Sequence, residues 1–191
     1  DHLETGLMHN HLVNDARALF TYGACFPDLP DAPRLRELGW KLITQEMLRQ
    51  TLPDGVFGEQ STHYHLLLTR TLTEVVWLAR LQGGRVAPEL LARLERMHDA
   101  AAAMIRGDGT IAFVGDICPD LESRHLVGFL ALGAVLFERP EWKRTEAFSE
   151  HALWYLGVEG LAAWERLEMR EPGVEAAGFS QGGFAFLANA V

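Results

Sequence analysis

Residues 61–84 read STHYHLLLTRTLTEVVWLARLQGG. This is the longest stretch of helical apolar periodicity in the chain, and it closes on a glycine pair, a common stop for a helix C-terminus. Its first turn is unusual, because His63, Tyr64 and His65 place three groups that move protons or bind metals side by side. An echo lies upstream in His9-Asn10-His11.

The same periodicity recurs on both sides. HNHLVNDARALFTYGACF (9–26) puts Leu12, Ala16, Leu19 and Phe20 on one stripe and stops at Pro27. PRLRELGWKLITQEMLRQ (33–50) repeats the pattern with Leu35, Leu38, Leu42, Ile43 and Met47, and Asp31 is positioned as its N-cap. PELLARLERMHDAAAAMIRGDG (88–109) begins with Pro88 at a first helical position and is expected to end at Gly107. Residues 121–139 and 140–167 read as two more helical stretches, the second breaking near Gly157 or Gly160. Only GFSQGGFAFLANAV (178–191) changes character, to a glycine-rich loop entering a strand.

The expected fold is therefore all-α, built of antiparallel αα-hairpins with a strand at the C-terminal end. Alternating helix direction puts the starts of the first and third helices at the same end of the bundle. The loop TLPDGVFGEQ (51–60) and the later loop RGDGTIAFVGDICPD (106–120) fall there too. The unusual polar clusters thus share one rim.

With 191 residues, 48% of them hydrophobic, the chain fits a single domain with a substantial core. The net charge of −9 argues against a general nucleic-acid or membrane-surface binder. No apolar run approaches the ~20 residues of a membrane span. Cys25 and Cys118 are too few for a disulfide framework, and spacing leaves their pairing open.

The polar clusters admit several chemistries. Side chains two apart on a helix diverge, so one His-x-His cannot readily chelate a metal there. No metal ligand is assigned. Tyr64 between two histidines, facing Asn10 and His11 across the rim, is a kit for proton removal beside a carboxylate; as a base near neutrality the phenol would need nearby positive charge or donors, and histidine can supply either. On spacing alone, simple packing of Tyr64 with solvated first-turn histidines is the slightly favoured reading. Asp54-Gly55 and Asp108-Gly109 read as turns, and Asp116 as a turn cap first and a cleft-lining residue second. The five tryptophans read as packing residues, with a sugar-stacking role for one or two left open. Arg70 and Arg124 are candidate anion contacts or members of solvated faces.

The ordered set resembles the heparinase II/III-like polysaccharide lyases. The shared pattern is Asn10-His11, Phe26-Pro27, Gln50 with Asp54-Gly55, then Glu59, Ser61, Tyr64 and His65, followed by GDGTIAFVGD (107–116). It covers residues 2–118 well and the remainder loosely. The resemblance implies an (α/α) toroid, incomplete here, over 1–172. Residues 173–191 would be a linker and the start of a truncated β-sandwich. It also implies β-elimination on an anionic, uronic-acid-containing polysaccharide or oligosaccharide, heparan-like, alginate-like or exopolysaccharide, in the periplasm or outside the cell.

Carried over, Asn10 would neutralise the substrate carboxylate, His11 would assist, and Tyr64 would be the acid and a candidate base. Glu59, His65 and Arg124 are assigned to substrate binding. A His or Tyr from a downstream domain would complete the site. Asn14 stands where some members carry Glu. No cofactor is expected in this segment, with a metal in a downstream domain left open. The alternatives are a metal-dependent hydrolase using the His-x-His pairs, and a non-catalytic helical glycan-binding or scaffold domain.

Overall fold

The structure, a computed structural model, describes residues 3–4, 9–106, 109–118, 128–143, 147–169 and 176–187. Among these there are six α-helices: α1 (His9–Cys25), α2 (Ala32–Gln50), α3 (Thr62–Leu81), α4 (Pro88–Met104), α5 (Phe129–Leu136) and α6 (Glu150–Arg166). A 3₁₀ turn, Pro140–Trp142, precedes α6, and strands β1 (Ala176–Phe179) and β2 (Phe184–Leu187) follow it. No helix among the described residues is long and apolar enough to cross a membrane.

Helices α1 and α2 form an antiparallel hairpin whose backbones nearly touch. A Cβ on Gly23 would lie 2.2 Å from the Ala32 carbonyl oxygen, and one on Gly39 would lie 2.4 Å from the Phe20 nitrogen. Early α2 thus meets late α1, and later α2 meets earlier α1. Phe20 and Trp40 pack across the same seam at 5.4 Å. The main core gathers Val13, Phe20, Ile43, Met47, Leu68, Leu72, Leu94 and Met97 from four successive helices. Each contributes one apolar stripe, as the periodicity requires.

A second core surrounds Trp142 and Trp164. Lys143 is buried beside it, donating from Nζ to the carbonyls of Trp164 at 3.1 Å and Leu167 at 2.9 Å. Those carbonyls lie at the end of α6, where the Trp164 carbonyl also accepts the Leu167 N–H at 3.1 Å, so the ammonium meets the negative helix end. His98 is fully buried, stacked on Trp142 at 4.7 Å, and its Nε2 lies 2.9 Å from the Thr73 hydroxyl. That hydroxyl already donates to the Thr69 carbonyl, so Nε2 carries the proton. Burial pushes the His98 pKa down to about 3.

Several expectations need correction. Asp31 precedes α2 in the left-handed conformation, and its carboxylate takes Arg34 Nε at 3.2 Å instead of capping. Helix α4 ends at Met104, before Gly107, because Ile105 turns extended and bridges Ile111. Within the expected helix 140–167, Pro140–Trp142 is a 3₁₀ turn and the helix itself starts after Ser149, whose hydroxyl accepts the Ala152 N–H. The expected break at Gly157 is present, at φ 62° and ψ −157°, a conformation that glycine alone adopts easily. The C-terminal stretch is an antiparallel hairpin, with Ala176 opposite Leu187, and not a single strand. Strand β1, AAGF, is too short and too small in its side chains to show alternation. Of the tryptophans, Trp142 and Trp164 are buried, Trp40 and Trp77 pack at the core edges, and Trp154 is 81% exposed. Both cysteines are free and exposed.

A methyl group on Gly133 would lie 2.3 Å from the His98 ring, while one on Gly178 meets nothing within 4 Å. Gly133→Ala should therefore destabilise the protein by about 1–3 kcal/mol. Gly178→Ala should stay within about 0.5 kcal/mol of the parent. Paired denaturant melts check both, and equal midpoints would contradict the packing described.

Candidate functional site

The α2–α3 loop is built as a short turn. Thr51 bridges Phe57, the Leu52 N–H donates to the Val56 carbonyl at 2.8 Å, and the Gly55 N–H donates to Leu52 at 2.9 Å. Arg93 of α4 donates from Nη1 to both oxygens of Thr51. Asp54 closes the turn by accepting the Val56 N–H and also reaches across the chain, accepting Gln181 N–H at 2.8 Å and Gly182 N–H at 2.9 Å. The expected turn role is thus one of two that Asp54 performs.

The loop then delivers Glu59, Gln60 and Ser61 to the start of α3. Ser61 is the N-cap, accepting the Tyr64 N–H at 3.2 Å. Its hydroxyl donates to the Asp116 carbonyl. Thr62 N–H donates to the Val114 carbonyl at 3.0 Å, and Val114 N–H donates to the Thr62 hydroxyl at 3.1 Å. The α4-side loop is thereby zipped onto the α3 start. From the other side, Asn10 at the start of α1 donates its backbone N–H to Glu59 Oε1 at 3.2 Å. The structure thus brings the starts of α1 and α3 and both loops to one rim.

Asn10 is 9% exposed, and its side-chain amide makes no hydrogen bond to the described residues. Tyr64 is half-buried, with its ring at the core edge and 5.4 Å from His63. The Asp116 carboxylate raises the Tyr64 pKa by its charge, aided by burial and hydrogen bonding, with a further contribution from Glu59. Asp116 is therefore a member of the rim, the second of the two places its sequence setting offered. The positive charge that a tyrosine base would need is not what shifts Tyr64: the charged neighbours that do so are acidic, and they raise its pKa.

The two histidines flanking Tyr64 diverge. His63 is buried, accepts the Cys118 N–H on Nδ1 at 3.4 Å, and has a pKa lowered by burial. His65 points inward, accepting the Phe57 N–H on Nδ1 at 3.2 Å and lying 3.0 Å from the Met97 carbonyl through Nε2. An amide can only donate and a carbonyl only accept, so the proton sits on Nε2. Burial pushes this pKa down to about 4. The assignment of His65 to substrate contact is therefore corrected: it is 1% exposed with both nitrogens engaged, and it acts by holding the loop. His11 is exposed, its Nδ1 2.6 Å from Glu4 Oε2. Arg124 and Asp108 lie outside the described residues. No group of three or more His, Cys, Asp or Glu suited to a metal occurs among the described residues.

A second polar cluster, which spacing did not reveal, lies further along α3. Glu74 is nearly buried, and its Oε1 accepts Arg70 Nε at 2.8 Å and meets His151 Nε2 at 2.8 Å. Tyr155, pushed up to about 12 chiefly by burial, also hydrogen-bonds to Glu74. A sign of it was available in the sequence, since an acidic residue in the middle of an apolar helix needs a partner.

Residues 1–124 match the heparinase II/III N-terminus family. A heparin-sulfate lyase of Bacteroides thetaiotaomicron is 31% identical over 70 residues, covering 37% of this chain and 10% of that protein. Its counterpart from Bacteroides stercoris is 31% identical over 90 residues, covering 46% and 14%. Among solved structures, a heparinase III aligns with TM-score 0.64 and 25% identity over 89% of this chain and 24% of its own. A heparan sulfate lyase from Pedobacter heparinus shares the fold at TM-score 0.60 and 20% identity, over 88% and 24%. The common architecture is the (α/α) toroid of helix hairpins. The chain spans a small fraction of the length of each of these relatives.

Two outcomes follow from the rim geometry. An unfolded histidine takes a proton near pH ~6.5, whereas folded His65 does so only near about 4. Between those values the unfolded chain binds more protons, so stability should fall as pH drops through that window and change little above it on this account. Melting curves of His65→Gln should show a shallower slope in the same window, and an unchanged slope would refute the assignment. Separately, Asp116→Asn should lower the Tyr64 pKa, read by NMR titration of ring-labelled tyrosine with Tyr64→Phe to identify the signal.

Proposed function

The chain belongs to the heparinase II/III N-terminus family, and on that premise we propose that it forms the helical part of a polysaccharide lyase that cleaves uronic-acid-containing glycans by β-elimination. The observation that carries this reading is the meeting of Asn10 and Tyr64 around Glu59, with the Tyr64 hydroxyl kept protonated by Asp116.

In the proposed reaction, the amide of Asn10 donates to the uronate carboxylate. His11, held through Nδ1 by Glu4, presents Nε2 to the same group. Withdrawing charge from the carboxylate lets the electrons of the breaking C5–H bond spread into it. The pair then forms the C4–C5 double bond as the C4–O bond breaks. Tyr64 gives its proton to the departing oxygen. The raised pKa counts against Tyr64 as the base, because the phenol holds its proton and can take part only by giving it. The base that takes the C5 proton is then a separate group, consistent with the downstream His or Tyr that the resemblance implies. Glu59 orients the α1 start, and His65 fixes the loop that carries it.

In the intact protein, Tyr64→Phe should lower formation of the unsaturated uronate product by roughly 10²–10⁴-fold. Asn10→Ala should lower it by about 10²–10³-fold. Absorbance of the product across a panel of uronic-acid glycans is the measurement. Undiminished turnover in Tyr64→Phe would sink the proposal.

A further inference from the structure

We infer that Arg17 and Arg70 form an anion subsite, remote from the reacting sugar, that takes a sulfate or carboxylate of the bound glycan. The inference rests on the lyase reading of the preceding section for its ligand class.

Arg17 follows Asn10 by seven residues on α1, and Thr71 follows Tyr64 by seven on α3. Seven residues are about two helical turns, so each pair shares a helix face at a separation of about 10 Å. The faces that carry Asn10 and Tyr64 at the rim thus carry Arg17 and Thr71 further in. They meet there, with Arg17 Nη1 3.5 Å from the Thr71 hydroxyl.

Arg70 lies beside this contact. Its Nε is fixed on Glu74, and its terminal nitrogens make no hydrogen bond to the described residues. Its side chain is 36% exposed, whereas that of Glu74 is 8% exposed. The anchoring carboxylate is therefore behind and the outer guanidinium edge is open. Glu74 is engaged by Arg70, His151 and Tyr155, while the charge of Arg17 also reaches it. Two guanidinium groups face one carboxylate, which leaves a surplus positive charge whatever the state of His151.

A guanidinium held by a buried partner binds sulfate or carboxylate through its remaining fork with little ordering cost. The contrast with the rim supports the assignment. Tyr64 feels Asp116 and Glu59, both acidic, so the rim offers a polyanion little net attraction. Arg17 and Arg70 supply it two turns away, where it can hold the chain without disturbing the reacting groups. The competing account is that both arginines only neutralise Glu74.

The test is equilibrium binding of a sulfated, uronate-containing oligosaccharide by the intact protein carrying Tyr64→Phe, so that binding is read without turnover. Arg17→Gln should weaken binding about tenfold and reduce its salt dependence. Arg17 is exposed and makes one long contact, so this variant should keep the parent's melting temperature. Arg70→Lys, which retains charge and loses the fork, should weaken binding less than Arg70→Gln. Loss of the Arg17→Gln effect on a desulfated ligand identifies sulfate. Its persistence there, with loss on a carboxyl-reduced ligand, identifies the uronate. Equal affinity of parent and Arg17→Gln for the sulfated ligand at low salt overturns the subsite. A protein that loses affinity with Arg17→Gln but cleaves no glycan before Tyr64 is replaced overturns the lyase reading and leaves the subsite standing.

Discussion

The imidazole of His65 ties together three segments that would otherwise be independent. It belongs to α3, accepts the Phe57 N–H from the α2–α3 loop, and is hydrogen-bonded to the Met97 carbonyl of α4. Phe57 and Met97 are both in the main core, so the ring joins the site loop to the best-packed part of the molecule. The arrangement works only for the neutral ring. A second proton would set a donor against the Phe57 N–H at a buried site, and burial accordingly holds the pKa down to about 4. Because the loop is fixed at Phe57, Glu59 and Ser61 arrive two and four residues later in defined places. Glu59 then meets the start of α1, and Ser61 caps α3 while binding the Asp116 carbonyl.

The helical framework was legible because burial has a period. The first four helices each put one apolar stripe into the main core, and their apolar spacing, prolines and terminal glycines show it directly. Legibility fails where local chemistry competes with periodicity. Residues 140–167 look helical throughout, but Pro140 and the Ser149 cap divide them, and Lys143 turns back to the end of α6. Strand β1 carries almost no signal, since AAGF owes its conformation to pairing with residues 184–187. Asp31 had the right residue type for a cap, yet a left-handed backbone turned its side chain toward Arg34.

The rim was legible in outline and not in detail, for a related reason. Helix alternation brings Asn10 and Tyr64 together without knowledge of any side chain. It cannot say which way two adjacent histidines turn. Nor can it say that Asp116, 52 residues after Tyr64, supplies the strongest charge on the phenol. The positive charge that a tyrosine base needs does not come from its sequence neighbours for that reason: the histidines beside Tyr64 are buried and depressed, and the charge beside it in space is acidic. An acidic environment keeps the proton on Tyr64 and counts against the base half of the role expected of it.

Asp54 shows how far such a shift can reach. Its sequence setting, Pro-Asp-Gly, accounts for the turn and for the bond to the Val56 N–H two residues on. Its other oxygen is occupied by two N–H groups from the tip of the C-terminal hairpin, 127 and 128 residues away. Gly182 fits there because a Cβ would strike the Val56 side chain at 2.5 Å, and Gln60 returns a hydrogen bond to the Gly182 carbonyl at 3.3 Å. The hairpin is thus fastened to the same loop that His65 pins from inside. One short turn is held on its inner side by α3 and α4 and on its outer side by β1–β2, and it delivers Glu59 to Asn10. Disturbing the hairpin should therefore be felt at the rim even though none of its residues faces Tyr64 in a resolved contact, because the loop between them has little freedom left to absorb the change.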